Sequence, residues 1–299
     1  MSDEVATALS ESRGVVALET TIVVHGLPSP VNLDVAQECE AAVRANGSTP
    51  ATIGILDGSV VVGLSEKELA RLSDPERRAA KLSSRDIGVA LAAGIDGATT
   101  VAGTISMAYR VGISVMATGG LGGVHRDAAA SFDESADLMA LTRTSVLVVA
   151  SGVKSILDIG ATLERLDTLG VPVVGFQTRQ FPGFYLRDSG FALDWSVASA
   201  EEAAAAFLRH RELSRTGFIV ANPVDATKQL HEHLHDEALA SALAKVQADG
   251  VSGKDVTPAL LAEFARHTAG QSVQVNRDLV VANSGLAGRI ARSIARGAS

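Results

Sequence analysis

Two side chains in this sequence stand where chemistry needs them and packing does not. Lys154 follows a short apolar run, Ser145-Val-Leu-Val-Val-Ala150, and a Ser151-Gly152 break. The pattern reads as a strand, a turn and a lysine at the start of a helix. A cation is disfavoured at a helix N-terminus by the macrodipole. A lysine held among apolar residues is disposed to give up its proton, because burial penalises the charged form. A neutral amine facing a pocket is a nucleophile suited to imine formation with a sugar aldehyde; the alternative is a lysine that simply snorkels to solvent. Glu19 interrupts a second apolar run, Gly14 to Val24, and a carboxylate there is costly unless it is paired or faces a cavity.

Other polar groups gather around glycine. The segment Thr118-Gly-Gly-Leu-Gly-Gly-Val-His125-Arg126 has the density expected where backbone N–H groups close on a phosphate, with His125 and Arg126 as further donors. It matches neither the P-loop nor the dinucleotide fingerprint, and an empty strand-to-loop turn is the competing interpretation. Asp133, Glu134 and Asp137 lie within five positions. They suit either a helix start capped by Asp133 or Ser135, or an oxygen site for a hard divalent cation. His231, His233 and His235 alternate and read as a solvated polar loop rather than a metal tract.

The elements that must position these residues alternate along the chain. Strands are expected over Gly14–Val24, Ala51–Leu56, Ser59–Leu64, Gly97–Ala102, Ile113–Thr118, Val171–Gln177 and Gly217–Pro223. Asp57-Gly58 is a hairpin turn. Ser65 with Glu68, and Ser199 with Glu202, form capping boxes opening helices. Helices are also expected from about Asn32 or Asp34, over Ile105–Gly112 and Ala200–Leu213, and through most of the chain after Leu239. The first dozen residues look loose. This alternation predicts a single large α/β domain, layered α/β/α, whose central, mostly parallel sheet carries ligands at the carboxyl ends of its strands.

Composition narrows the function. The chain has 299 residues, a net charge of -8 and a single cysteine, Cys39. An acidic balance without a basic stripe argues against nucleic acid, and one cysteine excludes an intramolecular disulfide. The opening Met1-Ser2-Asp3-Glu4 lacks the basic start of a signal peptide and no run reaches transmembrane length, so a cytoplasmic protein without a membrane partner is expected.

Taken together, and over about Val15 to Ala295, these motifs resemble the pseudouridine-5'-phosphate glycosidases. The most specific are Ala17-Leu-Glu19-Thr-Thr-Ile, His25-Gly-Leu-Pro28, Lys81-Leu-Ser-Ser-Arg-Asp86, the Thr118–Arg126 segment, Ser135-Ala-Asp137-Leu, Lys154-Ser-Ile-Leu-Asp158 and Ala221-Asn222-Pro223. The resemblance implies reversible cleavage of the C–C glycosidic bond of pseudouridine 5'-phosphate to uracil and ribose 5-phosphate. It implies Lys154 as nucleophile, Glu19 as proton donor and Asp133 as ligand to a divalent cation, usually Mn2+. Lys81, Val101, Thr118, His125, Ser135, Ala136, Asp137 and Asn276 would contact substrate, with Lys81, Ser135, His125 and Arg126 as candidates for the phosphate. A homotrimer is implied as well. The chain departs from the family pattern at Val153 beside the lysine, in the loop Val224–Leu230 and at Ser272-Val-Gln-Val-Asn276. Another lysine-imine aldolase or isomerase on a sugar phosphate, an enzyme acting on a different C-nucleoside, and a non-catalytic sugar-phosphate binder are the competing functions.

Overall fold

In a computed structural model of the chain, described for residues 1–251 and 256–297, ten strands form one sheet. They are β1 (Val15–Glu19), β2 (Thr49–Leu56), β3 (Ser59–Val62), β4 (Ala80–Leu82), β5 (Gly97–Thr99), β6 (Val115–Ala117), β7 (Leu147–Ala150), β8 (Val173–Phe176), β9 (Ser196–Val197) and β10 (Phe218–Ala221). Their order is β4-β5-β2-β1-β6-β7-β10-β8-β9, with β3 paired to β2 beside this path. Only β2–β5 and β2–β3 among these pairs are antiparallel. Asp57 and Gly58, both left-handed with φ of 48° and 67°, close the β2–β3 hairpin.

Period-two alternation splits the core into two layers. Ala17, Ile53, Met116, Val148 and Ile219 face one side, where helices Val101–Arg110, Ala136–Leu141 and Ile159–Thr168 pack. Val16, Leu18, Ala117, Val149 and Val220 face the other, against helices Val31–Ala45, Ala200–Leu213 and Gln271–Gly297. The last helix, 27 residues long, runs among apolar neighbours. It approaches the sheet-side chain closely enough that a Cβ at Gly14 would stand 2.7 Å from the backbone of Ala291.

Several sequence expectations need correction. The first dozen residues include a helix, Asp3–Ser10, capped by Ser2, whose Val5 and Ala8 are buried. Their spacing of three puts both apolar side chains on one face. Strand β1 stops at Glu19, and Ile22–Gly26 is a π-helical turn. Neither Asn32 nor Asp34 caps the following helix, because it begins at Val31 and both lie inside its first turn; the Asn32 amide donates to the Val23 carbonyl. The helix expected from Ile105 begins at Val101, capped by Thr100. His231, His233 and His235 open a helix, Glu232–Ala248, rather than a loop, and His235 is buried beside the Phe264 ring. The aromatic loop Phe181–Tyr185 is buried.

Candidate active site

Polar residues collect at the carboxyl ends of the central strands. Glu19 ends β1, Thr118 follows β6, Ser151-Gly152-Val153-Lys154 follows β7 and Asn222 follows β10. Glu19, Lys81, Val101, Thr118, His125, Asp133, Ser135, Ala136, Asp137, Lys154 and Asn276 all line one cavity of about 440 Å3. That is the size expected for a small-molecule site, roughly 300–1,000 Å3.

Lys154 is not at a helix start. Its helix begins at Ile159, capped by Asp158, so the dipole argument made from sequence does not apply. What places it is the turn at Gly152, with φ of 81° and the Pro182 carbonyl 2.1 Å from where a Cβ would sit. Only glycine fits there. Beyond the turn the segment pairs with the glycine-rich loop: Leu121 N–H donates to Gly152 O at 3.0 Å, and Lys154 N–H to Leu121 O at 3.1 Å. Lys154 is thereby held half-buried on the cavity wall by its own backbone.

Glu19 is buried and accepts a hydrogen bond from the Thr118 hydroxyl. Burial pushes its carboxyl above the ordinary range, and this outweighs the Lys154 charge and the Thr118 hydrogen bond, which pull it down. The nearby Asp137 charge pushes it further up, while Lys81 opposes this weakly. A carboxyl disposed to hold its proton therefore shares a cavity with a lysine.

Much of the glycine-rich loop is tied down by the protein around it. Its amides at Thr118, Leu121, Gly122, Val124 and His125 are already bonded within the protein. Its glycines answer to crowding: a Cβ would stand 2.5 Å from the Phe184 ring at Gly120, 2.2 Å from Ser135 Oγ at Gly122 and 2.4 Å from Thr162 Oγ1 at Gly123. Asp137, on helix Ala136–Leu141, buckles this loop to helix Val101–Arg110, its carboxylate accepting from Ala102 N–H at 2.8 Å and Gly122 N–H at 2.9 Å. Ser135 caps helix Ala136–Leu141, accepting from Asp137 N–H. Arg126 is spent on the carbonyls of Ser155 and Ile156 and is not part of the cavity wall.

Asp133, half-exposed on the wall, has Oδ2 3.8 Å from His125 Nδ1. Among the described residues no three His, Cys, Asp or Glu side chains converge as a metal cage. A single open carboxylate fits a hard divalent cation that keeps most of its coordination for water and ligand oxygens. The wall also contains Thr21, Ser83, Arg85 and Thr100, and, from helix Val256–His267, Thr257, Pro258 and Leu261. Thr21, Ser83 and Arg85 fall inside motifs singled out in the sequence but were given no role there, and local pattern gave no sign of Thr100, Thr257, Pro258 or Leu261; Ser83 Oγ and Thr21 Oγ1 are buried without a hydrogen-bond partner and face the same cavity.

Known proteins resemble this chain over nearly its whole length. Residues 4–293 match the family described as indigoidine synthase A like protein. A pseudouridine-5'-phosphate glycosidase of Salinispora tropica is 57% identical over 290 residues, covering 96% of this chain and 89% of the relative. One of Streptomyces griseus is 53% identical over 294 residues, covering 97% and 90%. Among solved structures, the prealnumycin C-glycosynthase AlnA in complex with ribulose 5-phosphate superposes with a TM-score of 0.91 at 38% identity, covering 99% of this chain and 97% of that one. An indigoidine synthase A-like protein of Thermotoga maritima gives 0.89 at 36% identity, covering 96% and 94%. The chain belongs to the indigoidine synthase A-like family, among the pseudouridine-5'-phosphate glycosidases.

Proposed function

We propose that the protein is an enzyme that cleaves the C–C glycosidic bond of pseudouridine 5'-phosphate reversibly, giving uracil and ribose 5-phosphate. The observation that carries this is the pairing, in one cavity, of Lys154 with a buried Glu19 disposed to keep its proton. A C-glycoside has no exocyclic oxygen to protonate, so the two-carboxylate scheme of ordinary glycosidases does not serve. A lysine offers another route. Its amine adds to C1' as the C1'–O4' bond breaks, the amine losing an N–H proton and O4' gaining one. The nitrogen lone pair of this linear adduct then forms a C=N bond as C1'–C5 breaks. That bonding pair returns to the uracil ring, whose C5 takes the proton from Glu19. Water adds to the imine carbon and expels the amine with ribose 5-phosphate.

Lys81, Ser135 and His125 would hold the phosphate and so fix C1' near the amine. Asp133 would hold a divalent cation, Mn2+ by the resemblance; when bound it supplies positive charge near the phosphate. The resemblance also implies a homotrimer, which light scattering tests, and an opening without the basic start of a signal peptide supports a cytoplasmic place of action. No helix among the described residues is long and apolar enough to cross a membrane.

The likeness to AlnA favours a second reading, in which the same lysine joins a sugar phosphate to a different aglycone. Uracil release from pseudouridine 5'-phosphate with added Mn2+, comparing wild type with Lys154→Ala, decides between them. Release by wild type and none by the variant supports the glycosidase. No release by folded wild type points to the other aglycone, and equal release by both contradicts the imine route.

A further inference from the structure

We propose that Asn283, which does not touch the cavity, is a positioning residue that holds Glu19 and Lys154 in register for the reaction. This rests on the glycosidase reading and extends it to a residue outside the cavity wall. Asn283 is fully buried in helix Gln271–Gly297, beside the buried Ser284 and among Val280, Leu286 and Ala287. An amide in such surroundings is tolerated only if its polar atoms are satisfied. Its Nδ2 donates to Thr118 O at 2.8 Å and also reaches Ser151 Oγ at 3.1 Å and Gly119 O at 3.4 Å. Its Oδ1 accepts from Asn222 Nδ2 at 2.9 Å. One side chain thus ties together the ends of β6, β7 and β10.

One of those ends holds Glu19 by a hydrogen bond and another leads to Lys154. Thr118 donates its hydroxyl to Glu19, and Ser151 begins the turn whose Gly152 sends the chain to Lys154. A shift of the Thr118 carbonyl moves the hydroxyl on Glu19, and a shift of Ser151 moves the turn. Asn276, two turns earlier on the same helix, gives the contrast. It lines the cavity and its Oδ1 is buried with no hydrogen-bond partner, so it is open to a ligand, whereas Asn283 is consumed by the protein.

The test is uracil release from pseudouridine 5'-phosphate across pH, with Mn2+ added, for wild type, Asn283→Leu and Asn222→Ala, each checked for cooperative melting. Asn222→Ala removes one outer donor from a half-buried position, and so tests the network even where Asn283→Leu does not fold. A misplacement of about 1 Å in a reacting pair costs on the order of 10²-fold, so Asn283→Leu should lower kcat by about that factor with KM little changed. Asn222→Ala should lower kcat less, in the same direction.

The pH profile separates positioning from general destabilisation. The charged groups acting on Glu19 are Lys154, Asp137 and Lys81, and the Thr118 hydroxyl stabilises its anion. Loosening Thr118 removes that stabilisation, so the basic limb of the kcat profile should move to higher pH. Active wild type with kcat and pH limb unmoved in every variant that folds would overturn the positioning role alone. Folded wild type that releases no uracil would overturn the glycosidase reading, and this inference with it.

Discussion

At the residue scale, the central pair makes distinct predictions. In the proposed reaction Glu19 is the acid, so cleavage should fall as pH rises through its elevated pKa, and Glu19→Gln should lower kcat by roughly 10²- to 10⁴-fold while erasing that limb. The same shift has a consequence for stability. A carboxyl whose pKa is raised on folding contributes stability that is whole below its unfolded pKa and is lost as pH rises through the folded one. Glu19→Gln should therefore melt higher than wild type at alkaline pH, and the gain should vanish toward acid. A melting difference that grows toward acid instead would contradict the buried, protonated assignment. Both residues were visible in the sequence, Glu19 as a carboxylate in an apolar run and Lys154 as a lysine after a Ser-Gly break. A loop and not a helix terminus places the lysine, which a Ser-Gly break alone does not distinguish.

At the element scale, the glycine-rich loop and the helices beside it form one rigid unit. Gly122→Ala would drive a Cβ to within 2.2 Å of Ser135 Oγ and 2.8 Å of Asp137 Oδ2. Overpacking of this kind costs about 1–3 kcal/mol, and because it pushes on two cavity residues it should raise KM as well as lower the denaturation midpoint. Asp137→Asn should be worse than its size suggests, since an amide cannot accept from both Ala102 and Gly122. One buried N–H would lose its partner, at about 1–3 kcal/mol, readable in urea denaturation. Sequence showed the density of glycines but not their purpose. A phosphate cradle and close packing demand the same residue type, and only the neighbours (Phe184, Ser135 and Thr162, all distant in sequence) distinguish them.

At the scale of the whole molecule, the layered sheet was legible from alternating apolar runs and caps. Its order was not, because pairing of strands far apart in sequence leaves no local trace. The N-terminal helix was missed for a related reason. Eight residues with two buried side chains carry little periodicity, and the helix is stabilised by docking Val5 and Ala8 on the sheet. The last helix closes the fold over the strand ends. Gly14→Val would press a branched side chain onto the backbone of Ala291, 2.7 Å from the Cβ position, where no side-chain rearrangement can give way. Loss of soluble protein or a midpoint drop of several kcal/mol is the expected outcome, measured by expression yield and denaturation. The same helix delivers Asn276 to the cavity and Asn283 to the strand ends, so fold and site share one support.

The most direct test of the account is covalent. Wild-type protein incubated with ribose 5-phosphate and a hydride donor should acquire one reduced sugar-phosphate adduct, and peptide mapping should place it on Lys154. Lys154→Arg should acquire none. An adduct on another lysine, or full uracil release from pseudouridine 5'-phosphate by a protein that never forms one, would contradict the imine at its centre.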